Sequence, residues 1–163
     1  MEILIFSDSH GSRDKLSYAI EKSGRYDEIL FLGDGLRDIE ALPEGNFAIC
    51  VRGNCDMFGS EEYPTERILR FGEYTVMMTH GHTYSVKSTL DRAAAAAVSR
   101  GADMLIFGHT HKRTDIYLPE GSDVGGVILP RPLRLFNPGS VREGSFGRLT
   151  LKNNIPLTSF GDI

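Results

Sequence analysis

Short apolar runs recur along the chain, and each breaks off at a polar or glycine-rich segment. Glu2 to Phe6 ends at Ser7-Asp8-Ser9-His10-Gly11, Ile29 to Leu32 at Gly33-Asp34-Gly35, and Phe47 to Val51 at Arg52-Gly53-Asn54-Cys55-Asp56. Tyr74 to Met78 ends at Thr79-His80-Gly81-His82, and Met104 to Phe107 at Gly108-His109-Thr110-His111. Continuous apolar runs of this length, bounded by turn signals, predict buried strands. Between them the spacing changes to that of helices. Leu16, Ala19 and Ile20 recur at i, i+3, i+4 after Ser12, a suitable N-cap, and Gly24 is a suitable stop. Ser88 with Asp91 three residues on forms a capping-box pattern ahead of Ala93 to Ala97, with Gly101 as the stop. A shorter helix is expected around Leu36 to Leu42.

After His111 the texture changes. Thr114 to Leu118, Leu133 to Phe136, Arg148 to Lys152 and Pro156 to Phe160 read as short strands between Gly, Pro and Asn clusters, as in antiparallel hairpins. No repeat and no long linker divides the chain, so residues 1–163 are expected to form one domain. Strands alternating with helices and then a β-rich end suggest an α/β fold of two sheets packed face to face, with helices outside.

Composition narrows the function classes. The formal charge of −4 gives no reason to expect stable nucleic-acid binding or attachment to an anionic membrane. Met1 leads straight into an apolar run that reads as a strand rather than a signal peptide. No apolar stretch approaches the roughly 18 residues of a membrane span. Cys50 and Cys55 are too few for a disulfide framework, and the cytoplasm is the default location.

All five histidines (His10, His80, His82, His109, His111) fall in the polar segments that end the strands, together with Asp8, Asp34, Asn54 and Asp56. Taken singly, each has a plain structural explanation: Asp8 can cap the following helix, and Gly33-Asp34-Gly35 and Gly53-Asn54 can be turns. Taken together, five strand ends lying side by side would gather these side chains where α/β sheets place their ligands.

The ordered pieces Asp8-x-His10, Gly-Asp34, Gly-Asn54-x-Asp56, His80-Gly and Gly-His109-x-His111 resemble the signature of the calcineurin-like metallophosphoesterase superfamily. They are most similar to its small bacterial and archaeal phosphodiesterase branch, where Asn137-Pro138-Gly139-Ser140 also has a counterpart. The resemblance implies a four-layer α/β/β/α sandwich of two mixed sheets flanked by helices, with two divalent ions a few ångströms apart. Asp8, His10, Asp34 and His111 would hold the first ion; Asp34, Asn54, His80 and His109 would hold the second, with Asp34 bridging. A set of imidazoles and carboxylates without thiolate suits Mn2+, the metal expected first, with Ni2+, Fe or Zn2+ as alternatives. The implied reaction is hydrolysis of a small phosphodiester by a hydroxide bridging the ions. Asn54, Asp56 and His80 are the candidates for direct catalytic roles.

His80 and His82 compete for one ligand position, and His80 is preferred because it opens the His-Gly pair. His82 is then open to a supporting role, a phosphate contact or a surface position. Cys55 departs from many relatives, which carry a proton-donating histidine between the Asn and the Asp. A neutral thiol protonates a leaving oxygen poorly. Arg52, Lys112, Arg113 and Arg142 flank the segments as candidate phosphate contacts. The rivals to a diesterase are a phosphomonoesterase and a non-catalytic interaction module on the same fold, as in the retromer sorting subunit of similar size. A homo-oligomer is open.

Overall fold

The computed structural model describes residues 1–57, 60, 62–152 and 155–163. In chain order the strands of the first half are β1 (Glu2–Phe6), β2 (Glu28–Phe31), β3 (Ile49–Cys50), β4 (Glu66–Phe71), β5 (Tyr74–Thr79) and β6 (Met104–Phe107). Those of the second half are β7 (Arg113–Leu118), β8 (Asp123–Val124), β9 (Val127–Ile128), β10 (Leu133–Pro138), β11 (Ser145–Lys152) and β12 (Ile155–Asp162). The helices are α1 (Arg13–Lys22), α2 (Leu36–Glu40) and α3 (Asp91–Ser99). Among the described residues no helix is long and apolar enough to cross a membrane.

Two five-stranded mixed sheets result, in the orders β12-β11-β1-β2-β3 and β4-β5-β6-β10-β7, with β8 and β9 as a separate hairpin. β1, β2 and β3 run parallel, as do β5, β6 and β10; antiparallel strands complete each sheet. The period-2 alternation of a strand explains the layers. In β1, Ile3 and Ile5 join Val76, Met78, Met104 and Ile106 in a core between the sheets. Leu4 and Phe6, on the opposite face, pack with Leu16, Ala19 and Ile20 of α1 and Ile39 of α2. Met77, Leu105 and Phe107 point outward from the second sheet onto Ala93, Ala94 and Ala97 of α3. Both faces of the central strands are covered, which is why those strands read as unbroken apolar runs. The four-layer α/β/β/α sandwich is therefore the architecture observed.

Two local expectations are corrected, and one strand was not expected. The capping box at Ser88 does not form: α3 starts at Asp91 with Leu90 at the N-cap position. The Ser88 N–H donates instead to the Ser85 carbonyl in a preceding turn, and Thr89 Oγ1 accepts the Asp91 N–H. The helix after Asp34 ends at Glu40, short of Leu42, because Pro43 opens a separate 3-10 turn. β4, which the apolar pattern does not announce, is an edge strand whose charged residues Glu66, Arg67 and Arg70 break up its hydrophobic run.

Candidate metal centre

Register puts the polar segments at one end of the sandwich. Phe6 pairs with Phe31, Phe31 with Cys50, and Thr79 with Phe107 in parallel ladders, so Asp8, Asp34, Asn54, His80 and His109 all lie just past the carboxyl ends of aligned strands. Backbone bonds tie the loops together: Asp8 N–H to Gly33 C=O (3.0 Å), His10 N–H to Asp34 C=O (3.1 Å) and Gly108 N–H to His80 C=O (3.2 Å). The approach is close enough to require glycine. A Cβ at Gly53 would sit 2.1 Å from Asp34 Oδ1, and one at Gly108 would sit 2.1 Å from Ser7 Oγ. Six described non-glycine residues adopt positive φ, and five of them are Asp8, His10, Asp34, His109 and His111. Such backbone is costly for residues with a Cβ and clusters where geometry serves a site.

Two groups of donors converge, Asp8 with His10 and His111, and Asp34 with His80 and His109, and a third set, His10 with Asp34 and Cys55, overlaps both. Within each group the ligating atoms lie within 4.8 Å of one another. His10 Nε2 and His111 Nε2 are 3.2 Å apart, as are His80 Nε2 and His109 Nδ1. Two nitrogens bound to one ion at about 2.0–2.1 Å, at angles between a right angle and the tetrahedral one, would be about 2.8–3.4 Å apart. Asp34 stands between the groups: its Oδ2 is 3.3 Å from His80 Nε2 and 3.9 Å from His10 Nε2.

The ring orientations are set from behind. His80 Nδ1 lies 2.8 Å from the Leu32 carbonyl and His111 Nδ1 lies 3.2 Å from Glu143 Oε1. A carbonyl and a carboxylate only accept, so both Nδ1 atoms carry protons, and in the neutral rings Nε2 presents its lone pair to the cluster. Asp8 Oδ2 accepts from Ser7 Oγ and the His109 N–H, while Oδ1 is buried without a hydrogen-bond partner. That orphaned oxygen lies 3.2 Å from His111 Nε2. An acceptor facing an acceptor inside a protein calls for a cation between them, and these residues fit a divalent ion.

The electrostatics agree. Burial alone would raise the Asp34 carboxyl, yet the hydrogen bond and charge of His80 and the Cys55 N–H hold it well below the usual carboxylate range. Burial opposes charge on His80, but the neighbouring carboxylates of Asp34 and Asp8 raise it. Burial and then the charge of His80 push His109 down to about 4. Burial, the hydrogen bond with Asp34 and its charge push the Cys55 thiol up to about 11.

Other residues singled out in the sequence have definite places. Asp56 accepts four backbone N–H bonds, from Asp34, Gly35, Leu36 and Gly53, at 2.7–3.0 Å. It thereby locks the Asp34 turn to the Gly53 loop. Asn54 is exposed, and its amide nitrogen donates to Cys55 Sγ at 3.3 Å. The His82 ring lies 5.4 Å from that of His80, outside both donor groups, with its Nδ1 buried and unpartnered. Asn137 and Ser140 are fully buried clamps: the Asn137 amide donates to the Gly108 carbonyl and Ser140 Oγ to the Asp8 carbonyl. Arg113 is engaged by Ser145 and Asp162 and stacks on Phe160, and Lys112 is exposed. Arg52 is half-buried, and Arg142 lines a cleft beside His10. Sequence reasoning missed Ser7, Glu143 and the Leu32 carbonyl, whose roles follow from contacts that no local pattern encodes.

Comparison with known proteins accords with this geometry. The profile of the calcineurin-like phosphoesterase superfamily domain matches residues 1–152. A probable metallophosphoesterase of Bacillus subtilis (strain 168), YsnB, is 31% identical over 169 residues, spanning 99% of this chain and 91% of its own. A conserved Streptococcus pneumoniae TIGR4 protein described as a predicted phosphoesterase superposes with TM-score 0.75 at 21% identity, covering 99% of this chain and 88% of that one. Wild-type Vps29 of Entamoeba histolytica, solved with Zn2+, superposes with TM-score 0.65 at 20% identity, covering 99% of each chain. The chain belongs to the calcineurin-like phosphoesterase superfamily.

Proposed function

We propose that the protein is a metal-dependent phosphodiesterase with a dinuclear centre. Asp8, His10, Asp34 and His111 hold one ion; Asp34, Asn54, His80 and His109 hold the other, and Mn2+ is the expected metal. The observation that carries this reading is the pair of converging donor groups, with Asp34 between them and the orphaned Asp8 Oδ1 facing His111 Nε2. When bound, the ions supply Lewis-acid activation of water and of the phosphoryl group.

The protein's own residues set the geometry. Asp56 fixes the Asp34 turn through four N–H bonds, and the Leu32 carbonyl orients His80. Ser7 and Ser140 hold Asp8 from its side chain and its backbone. The thiol of Cys55, beside Asp34, stays neutral near pH 7. A neutral thiol brings no positive charge to offset a second phosphoryl charge, which favours a singly charged diester over a doubly charged monoester. The same thiol is a poor proton donor, so leaving groups that depart without protonation are favoured.

The test is hydrolysis of bis(p-nitrophenyl) phosphate and p-nitrophenyl phosphate by Mn2+-loaded protein, with Asp34→Asn as control. The diester is expected to be cleaved faster, with the control inactive. Preference for the monoester would reverse the assignment. Tight metal binding without hydrolysis of either ester would favour the non-catalytic interaction module.

A further inference from the structure

The metal centre opens on one side into a cleft of about 570 Å3, a size suited to one small organic molecule. Its lining includes His10, Asp34 and Cys55 of the centre together with Leu36, Met57, Arg37 and Arg142. Arg37 and Arg142 come from different parts of the chain, the former from α2 and the latter from the turn between β10 and β11.

The acids and the bases lining this cleft differ in one respect. Every carboxylate beyond the donors is already engaged. Asp38 accepts from Ser9 Oγ and the Gly11 N–H, Asp56 accepts its four backbone N–H groups, and Glu40 accepts from Tyr63. The arginines are not. Neither guanidinium forms an ion pair with a described residue. The free positive charge in the cleft is therefore guanidinium, in a form that matches phosphate through paired N–H donors. The same cleft is lined by buried Leu36 and by the thioether of Met57, which is 71% exposed. An exposed methionine is an adaptable apolar surface for a flat ring.

We propose that Arg37 and Arg142 form a second anion subsite, and that the cleft takes a diester of nucleotide size bearing an additional phosphate. This rests on the diesterase reading above. The scissile phosphate sits at the metal centre, the ring system lies along Leu36 and Met57, and the second phosphate is held by the two guanidinium groups.

The test compares two chromogenic diesters that differ only in that phosphate: thymidine 5′-(p-nitrophenyl phosphate) and its 3′-phosphorylated counterpart. With Mn2+-loaded wild type, kcat/KM is expected to be at least tenfold higher for the 3′-phosphorylated ester, mainly through a lower KM. In Arg37→Ala/Arg142→Ala the ratio should fall towards one, and Lys at both positions should restore part of it. In parallel, calorimetry on the same Mn2+-loaded proteins measures thymidine 3′,5′-bisphosphate against thymidine 5′-monophosphate. The bisphosphate should bind at least tenfold tighter to wild type and lose that advantage in the double Ala variant. Equal kcat/KM for the two esters in wild type, or a ratio unmoved by the substitutions, would overturn the subsite while leaving the diesterase reading intact. If neither ester is cleaved, the diesterase reading fails, and calorimetry still decides the subsite. Both arginines are exposed, so the variants should fold, and circular dichroism checks this.

Discussion

The two halves of the donor cluster are held in different ways. In the half containing Asp34, His80 and His109, the Asp34 and His80 side chains are 3% and 0% exposed, and backbone fixes them. His80 is pinned by the Leu32 carbonyl, and Asp34 by the Cys55 N–H and the loop that Asp56 organises. In the half containing Asp8, His10 and His111, only Asp8 is fully buried. The His10 and His111 side chains are 20% and 29% exposed, and the support for His111 is Glu143, itself 60% exposed. One half is built into the backbone, whereas the other hangs on side chains at the surface. Two ions bound in one centre should therefore exchange at different rates, with the tighter ion beside His80.

The largest effect should come from Asp34, which the proposed centre shares between both ions. Asp34→Asn removes the shared charge, and metal analysis should fall from about two Mn2+ per chain to less than one, with loss of hydrolysis. A variant that keeps one tight ion would show that the halves are independent. Next, His80→Ala should cost about 100-fold or more in metal affinity, against little change for His82→Ala. Comparable Mn2+ titrations for the two would contradict the choice of His80.

Asp56→Ala strips the acceptor from four backbone N–H groups. A loss of about 3 kcal/mol is expected from hydrogen bonds to a charged group, seen as a Tm lower by roughly 6–12 °C. Metal binding beside His80 should weaken with it. An unchanged Tm would mean that the loop does not depend on Asp56. The smallest effect sharpens the contrast most. Glu143→Gln should weaken only the ion beside His111, by about tenfold, as expected for a partner that orients a ligand. A calorimetric isotherm showing both ions weakened equally would erase the distinction between the halves.

Much of this could be read along the chain. The apolar runs ending at Asp8, Asp34, His80 and His109 located the central strands because covered parallel strands are apolar on both faces. The candidate donors were legible for the same reason: each follows its strand by one to four residues. β4 was not legible, since an edge strand facing solvent alternates weakly and carries charge. The start of α3 was misread at Ser88 because a turn from Ser85 takes the N–H that a capped helix would leave free. Nor could local pattern show that Asp56 serves backbone, that Glu143 stands behind His111, or that five donor residues share positive φ. These depend on which loops meet, and the meeting is set by register between strands far apart in sequence.

The split origin of the donors has a mechanical consequence. Asp8, His10 and Asp34 follow strands of the first sheet, and His80, His109 and His111 follow strands of the second. Each half of the cluster draws on both sheets. An ion held there would act as a clasp across the seam of the sandwich, resisting separation of the layers at the end where the loops meet. At a hundredfold excess of metal over its dissociation constant, each clasp would add about 2.7 kcal/mol against opening. Chelation would loosen that end first, and the loops around Gly33, Gly53 and Gly108 would become open to proteases while the apolar layer between the sheets still held.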